Sequence, residues 1–141
     1  MASDTSHARH HHHDVGGVRV KPLHRARCHC GKVELELQLP DGLVDPRRCD
    51  CSYCRRRGTV VASVRLTQLR IVAGAEALSE YRFNTGTARH FFCCHCGIHT
   101  HHQRRSTPEE YSINVACLEG INPFALGPVP TRDGVNHPQD R

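Results

Sequence analysis

Tryptophan is absent from this chain, methionine occurs once, and Tyr and Phe together make up only 5% of it. With 23% of its residues charged, a single domain of this size is expected to have a thin apolar core. A thin core calls for another source of folding free energy, and bound metal is the usual one. Long hydrophobic runs are missing too. No stretch approaches the roughly 18 apolar residues that a membrane helix needs. No apolar segment near the start resembles the h-region of a secretory signal. The expectation is a cytoplasmic protein with no membrane partner. No amphipathic helix of useful length can be read from the apolar spacing, which excludes a helical bundle.

Cysteine, in contrast, is abundant: nine residues in 141. The number is odd, so a complete intrachain disulfide set is impossible, and disulfides do not persist in a reducing compartment. Clustered cysteines then read as metal ligands.

The chain divides unevenly. Residues 1–20 carry the run His10, His11, His12 and His13, with Gly16 and Gly17 after it. They read as a tag-like or disordered segment, with a histidine-rich metal-capture arm as the alternative. Residues 21–141 read as one zinc-binding domain. Within it, residues 33–39 alternate apolar and polar without a fault, as a half-buried strand does. Residues 40–42 (Pro-Asp-Gly) end that strand. Residues 59–66, 69–72, 80–83, 89–92, 98–102 and 111–115 read as further strands, with 84–86 (Asn-Thr-Gly) as a hairpin connection. Residues 52–57 could form one short helical turn. From residue 118 the chain turns rich in Gly, Pro and Asn and reads as an ordered loop packed on the domain. The fold class is therefore mainly β, with short strands and cysteine-bearing loops.

Three cysteine clusters occupy those loops. Cys28 and Cys30 precede the first strand, Cys49, Cys51 and Cys54 lie between two strands, and Cys93, Cys94 and Cys96 follow a strand. Zinc favours tetrahedral thiolate or imidazole ligands, and short spacings let one turn supply two. Cys28 and Cys30 with Cys93 and Cys96 would close a four-thiolate structural site. The repeat Cys-His-Cys-Gly at 28–31 and 94–97 would instead choose Cys94. The commoner knuckle spacing favours Cys93 and leaves Cys94 as a buried or substrate-facing thiol. The middle cluster offers three thiols and no obvious fourth, the arrangement of a catalytic zinc with an open position. The rival is a second structural site completed by His90, His99, His101 or His102. Two zinc ions per chain are expected, the open one more readily exchanged. His101 and His102 read as strand-edge residues, and Cys117 as a buried small side chain.

The formal charge is +5. Four thiolates on one divalent cation lower it by two and three thiolates on another by one, leaving about +2, too little to argue for nucleic acid. Arg47, Arg48, Arg55, Arg56, Arg57, Arg104 and Arg105 flank the cysteine loops. They read either as solvated faces or as attraction for a carboxylate-bearing substrate.

Read in order, Cys28-x-Cys30-Gly31, Cys49-x-Cys51-x-x-Cys54-Arg55, Tyr81-Arg82-Phe83-Asn84, Phe92-Cys93-x-x-Cys96-Gly97, Asn114-Val115-Ala116-Cys117-Leu118 and Asp133-Gly134-x-Asn136-His137-Pro138 resemble the glutathione-dependent formaldehyde-activating enzyme family. That family's domain is shared with a centromere protein. The resemblance runs from about residue 23 to the end. It implies an Mss4-like fold of packed antiparallel sheets. It also implies structural zinc at Cys28, Cys30, Cys93 and Cys96, and catalytic zinc at Cys49, Cys51 and Cys54. The implied activity is a reversible carbon–sulfur lyase acting on S-(hydroxymethyl)glutathione, with glutathione or a similar thiol and an aldehyde as partners. Cys94 departs from the pattern as an extra thiol. Two alternatives stand beside the enzyme: a non-catalytic zinc module contacting nucleic acid or protein, and a domain with two structural zincs. Exposed strand edges would allow a homodimer.

Overall fold

A computed structural model describes residues 10–83 and 86–135 of the chain. In order the strands are β1 (His11–His12), β2 (Asp14–Val15), β3 (Val18–Arg19), β4 (Leu23–Arg27), β5 (Glu34–Gln38) and β6 (Leu43–Cys49). Helix α1 (Ser52–Arg57) follows. The remaining strands are β7 (Val61–Arg65), β8 (Leu69–Ala73), β9 (Leu78–Tyr81), β10 (Arg89–Cys93), β11 (His99–Gln103), β12 (Glu110–Asn114) and β13 (Thr131–Arg132). They form an eight-stranded sheet in the order β1-β6-β7-β12-β11-β10-β9, with β13 parallel on β6, a three-stranded sheet β4-β5-β8, and the small hairpin β2-β3. Every other pairing is antiparallel. No helix among the described residues is long and apolar enough to cross a membrane.

The alternation at 33–39 is what builds the core. Val33, Leu35, Leu37 and Leu39 all face inward and are buried. The intervening Glu34 and Glu36 face water and pair across the sheet with Arg25 on β4 and Arg70 on β8. Such exposed pairs help set register but contribute little stability. The aliphatic face of β5 packs with Leu43, Val64, Ile113, Val115 and Leu118 in one cluster, and Cys28 and Cys93 belong to that same cluster. The core is aliphatic and sulfur-containing, as the shortage of aromatics requires.

Of the segment set apart at 1–20, residues 1–9 lie outside the described residues, while in 10–20 β1 pairs with Leu43 and Val44 of β6 and Val15 and Val20 are buried in the core. Two expectations change. Strands β4 and β6 were not legible from periodicity, and the short turn at 52–57 is a six-residue helix. His101 and His102 are not at an edge, because β11 runs between β10 and β12. The hairpin connection expected at 84–86 falls partly outside the described residues, as do Asn136, His137 and Pro138. β9 and β10 on either side of that connection do pair antiparallel. The tail after residue 118 is packed down, with Leu118 and Ile121 buried and β13 joined to β6.

Candidate metal centre

Two chain turns build the first cluster. Between β4 and β5, the Cys28 N–H bonds Val33 O and the Gly31 N–H bonds Cys28 O. Between β10 and β11, the Cys93 N–H bonds Ile98 O and the Gly97 N–H bonds Cys93 O. Gly31 (φ 81°) and Gly97 (φ 78°) take the left-handed conformation that closes each turn, a conformation side chains with a Cβ resist. The turns face each other across the two sheets, and the sulfurs of Cys28, Cys30, Cys93 and Cys96 converge within 4.8 Å of one another. The Cys28–Cys30 and Cys30–Cys93 sulfur separations are 3.6 and 3.7 Å. Tetrahedral zinc with bonds of about 2.3 Å places its sulfurs about 3.8 Å apart, so this donor set fits the ion. The adjacent Cys94 is exposed, not buried, and stands apart from the group.

Ionisation within this cluster is uneven. Burial raises the Cys96 thiol, but N–H bonds from Cys30 and Ile98 and the neighbouring thiols outweigh it and hold Cys96 at about 6. The Lys32 N–H lowers Cys30, yet burial and the three neighbouring sulfurs push it up to about 11. Thiolates this close repel one another, so some keep their protons. A divalent cation removes that conflict.

The second cluster is built by one segment. Cys49 ends β6, Cys51 is the N-cap of α1 and Cys54 lies in its first turn, where the Cys54 N–H bonds Cys51 Sγ at 3.3 Å. The three sulfurs lie within 4.8 Å of one another, and among the described residues no further His, Cys, Asp or Glu joins them. Hydrogen bonds from the Cys49 and Cys54 thiols hold Cys51 far below the ordinary thiol range, and Cys54 is correspondingly raised. Arg57, one turn further along α1, donates to Cys54 Sγ at 3.4 Å and lies over the Tyr53 ring. Tyr81 and Phe83 pack at a tilt against Tyr53, and Phe83 brings part of this scarce aromatic surface to the pocket.

Gly134 is the functional residue that periodicity and charge could not mark. A Cβ at this position would stand 2.5 Å from Cys49 Sγ and 2.6 Å from Cys51 Cβ. Its N–H bonds Asp50 Oδ1 at 2.7 Å, and the tail is fixed alongside by the Arg132–Asp45 pair and the Asp50 N–H bond to Arg132 O. The tail therefore closes over the three-cysteine loop, and only a residue without a side chain fits there. Gly134→Ala is expected to displace the loop and cost at least about tenfold in metal affinity at the cysteine trio, as disturbance of a ligand's support typically does. Zinc titration against a chromophoric chelator would read this, and an unchanged affinity would remove the role.

The trio opens into a pocket also lined by Arg47, Arg57, Arg104, Arg105 and Arg132. Arg48, Arg55 and Arg56 do not line it. Arg47 is buried and bonds Asp45 O, Ser63 Oγ and Ser112 Oγ. Arg104 pairs with Glu110. Asp133 is the acid among the lining residues; Arg47 and Arg132 share Asp45 as a partner, so part of the arginine charge is balanced and the remainder favours anions. Of the histidines proposed as a fourth ligand, His90 and His102 line the same pocket but group with His99 and not with the cysteines. His101 stacks on Phe91. Cys117 is buried, its thiol pushed up to about 12 by that burial.

A family model described as glutathione-dependent formaldehyde-activating enzyme matches residues 23–129. The chain belongs to the glutathione-dependent formaldehyde-activating enzyme family. A crystal structure of a Rhodobacter sphaeroides protein is similar at 60% identity, with a TM-score of 0.74, over 77% of this chain and 99% of that one. The mainly-β architecture of antiparallel sheets with cysteine loops is the Mss4-like fold of this family. At the family level the chain is thus associated with glutathione-dependent formaldehyde activation.

Proposed function

We propose that the Cys49, Cys51 and Cys54 cluster is a catalytic zinc site. The reaction is the reversible addition of a thiol, glutathione or a relative of it, to formaldehyde or another aldehyde. The observation that carries this reading is a convergent set of three thiols with no fourth donor among the described residues, opening into a pocket lined by five arginines. Cys28, Cys30, Cys93 and Cys96 hold the second, structural zinc. Zinc on three thiolates supplies a position at which a thiol ionises near neutral pH and a carbonyl is polarised.

The chain's own residues set the conditions for that chemistry. Arg57 donates to Cys54 Sγ and so steadies negative charge on the trio. The pocket arginines attract a carboxylate-bearing thiol and orient it with its sulfur toward the cysteines. Phe83 lines the pocket with Tyr53 packed against it, an apolar side that reduces the access of water. In the forward direction a carbon–sulfur bond forms, the carbonyl π pair moves to oxygen, and that oxygen gains the proton the thiol has lost. The lyase direction reverses each change.

Exchange NMR on glutathione and formaldehyde tests this directly. The two combine spontaneously, so the protein-free rate is subtracted. Faster exchange with zinc-loaded protein, lost on replacing Cys51, supports the assignment. No acceleration from protein carrying both zincs would reject this thiol–aldehyde pair.

A further inference from the structure

Behind the cysteine trio lies a cluster of three imidazoles that the proposed reaction does not use. We propose that His90, His99 and His102 form a third metal site, for a divalent transition cation, in the floor of the same pocket. The juxtaposition is produced by an irregularity in the sheet. His90 on β10 stands directly opposite His102 on β11. His99 is three residues from His102 and would face the other side of a regular strand. The register shifts between Phe91 and Phe92, so that they pair with His101 and His99 and Thr100 is left over. This bulge turns His99 onto the same face as His90 and His102.

One ring nitrogen from each histidine lies within 4.8 Å of the others. Ring centroids are 4.8 Å apart for His90 and His102, 5.7 Å for His99 and His102, and 6.4 Å for His90 and His99. His99 is 5% exposed, and neither of its ring nitrogens has a hydrogen-bond partner. His102 Nδ1 is also shielded and unpartnered. Buried polar atoms are almost always satisfied, because leaving one without a partner is costly. An unsatisfied nitrogen on each of His99 and His102, within reach of a nitrogen of His90, points to a missing partner shared by the three rings. It must be an acceptor of nitrogen lone pairs, since neutral imidazoles each offer one. Imidazole donors suit zinc, cobalt, nickel and copper. Arg57 and Arg47 are the cationic groups that act on the cluster, Arg57 on all three histidines and Arg47 on His102. Arg57 Nη1 lies 3.4 Å from His90 Nδ1, which leaves Nε2 as the His90 donor, while its Nη2 bonds Cys54. The cation would have an open position toward the pocket that His90 and His102 line.

The test uses the full chain with zinc already on its cysteines, dialysed against cobalt(II), comparing wild type with His99→Leu. Both proteins carry the same histidine run at 10–13, so it cancels in the difference. Wild type is expected to retain one equivalent more cobalt, with visible bands free of thiolate charge transfer, and to melt higher with cobalt than without it. His99→Leu loses that equivalent and most of that metal-dependent increase in Tm. Without cobalt the variant melts no lower than wild type, because it deletes two unpartnered buried nitrogens. Equal cobalt in the two proteins would overturn the proposal. Should the variant fail to fold, nitrogen-15 imidazole spectra of the wild type decide: zinc must shift three solvent-protected histidines together, and shifts confined to exposed histidines reject the site. Zinc at the cysteines and thiol–aldehyde exchange are measured in the same samples, so the failure of this site and of the proposed reaction are read separately.

Discussion

Cys93→Ser is expected to abolish cooperative folding, while Cys94→Ser next to it melts within about 0.5 kcal/mol of wild type, the range of an ordinary surface change. Cys93 is fully buried, belongs to the core cluster and has its sulfur 3.7 Å from that of Cys30. Cys94 is exposed. The four-sulfur cluster joins the β4–β5 turn of the small sheet to the β10–β11 turn of the large one, so it holds two sheets together over an aliphatic core with few aromatics. Structural zinc in small domains contributes about 10–16 kcal/mol of folding free energy. Whole domains are stable by only about 5–15 kcal/mol. Loss of this site therefore exceeds what the core can make up, and strong chelation should have the same effect as the substitution. Circular dichroism melts with zinc quantitation measure both. A Cys94→Ser protein that loses one zinc while Cys93→Ser keeps it would reverse the ligand assignment.

Cys51→Ser is expected to leave the fold intact and to reduce the acceleration of thiol–aldehyde exchange about 100-fold or more. Changes in the outer support of a metal ligand already cost about 10–100-fold, and Cys51 is proposed as a ligand itself. The substitution separates chemistry from structure for a local reason. Cys51 is the N-cap of α1 and accepts from the Cys54 N–H. Serine is among the best residues for that role, so the helix keeps its cap while the site loses a thiolate. The cysteine trio also lies outside the core cluster. Bound zinc should fall by one equivalent, with the melting curve shifted by no more than about 1 kcal/mol, the size of a typical cap effect. Full retention of acceleration would show that the chemistry is elsewhere.

The sequence by itself determined the inward face of β5, because strict alternation admits one strand orientation over a core. It also marked two cysteine turns, each followed by a glycine, as the source of a four-thiolate group. Knuckle spacing favoured Cys93 while the Cys-His-Cys-Gly repeat favoured Cys94, and it is the fold that buries Cys93 among the other three sulfurs and leaves Cys94 exposed; the three-cysteine loop was legible from the lack of a neighbouring fourth donor. Other features were decided only by tertiary structure, each for a stated reason. β6 carries Asp45, Pro46, Arg47 and Arg48 and shows no alternation. It is a strand because Arg47, though buried, satisfies its guanidinium on Asp45, Ser63 and Ser112, partners that only folding brings near. Gly134 was marked only as part of the Asp133-Gly134 stretch of the family resemblance, and its role appeared once the tail laid it against Cys49. His99 and His102 have a spacing that in a regular strand sends them to opposite faces. A one-residue bulge at Thr100 reverses this, and a bulge depends on pairing with another strand, which local sequence does not encode.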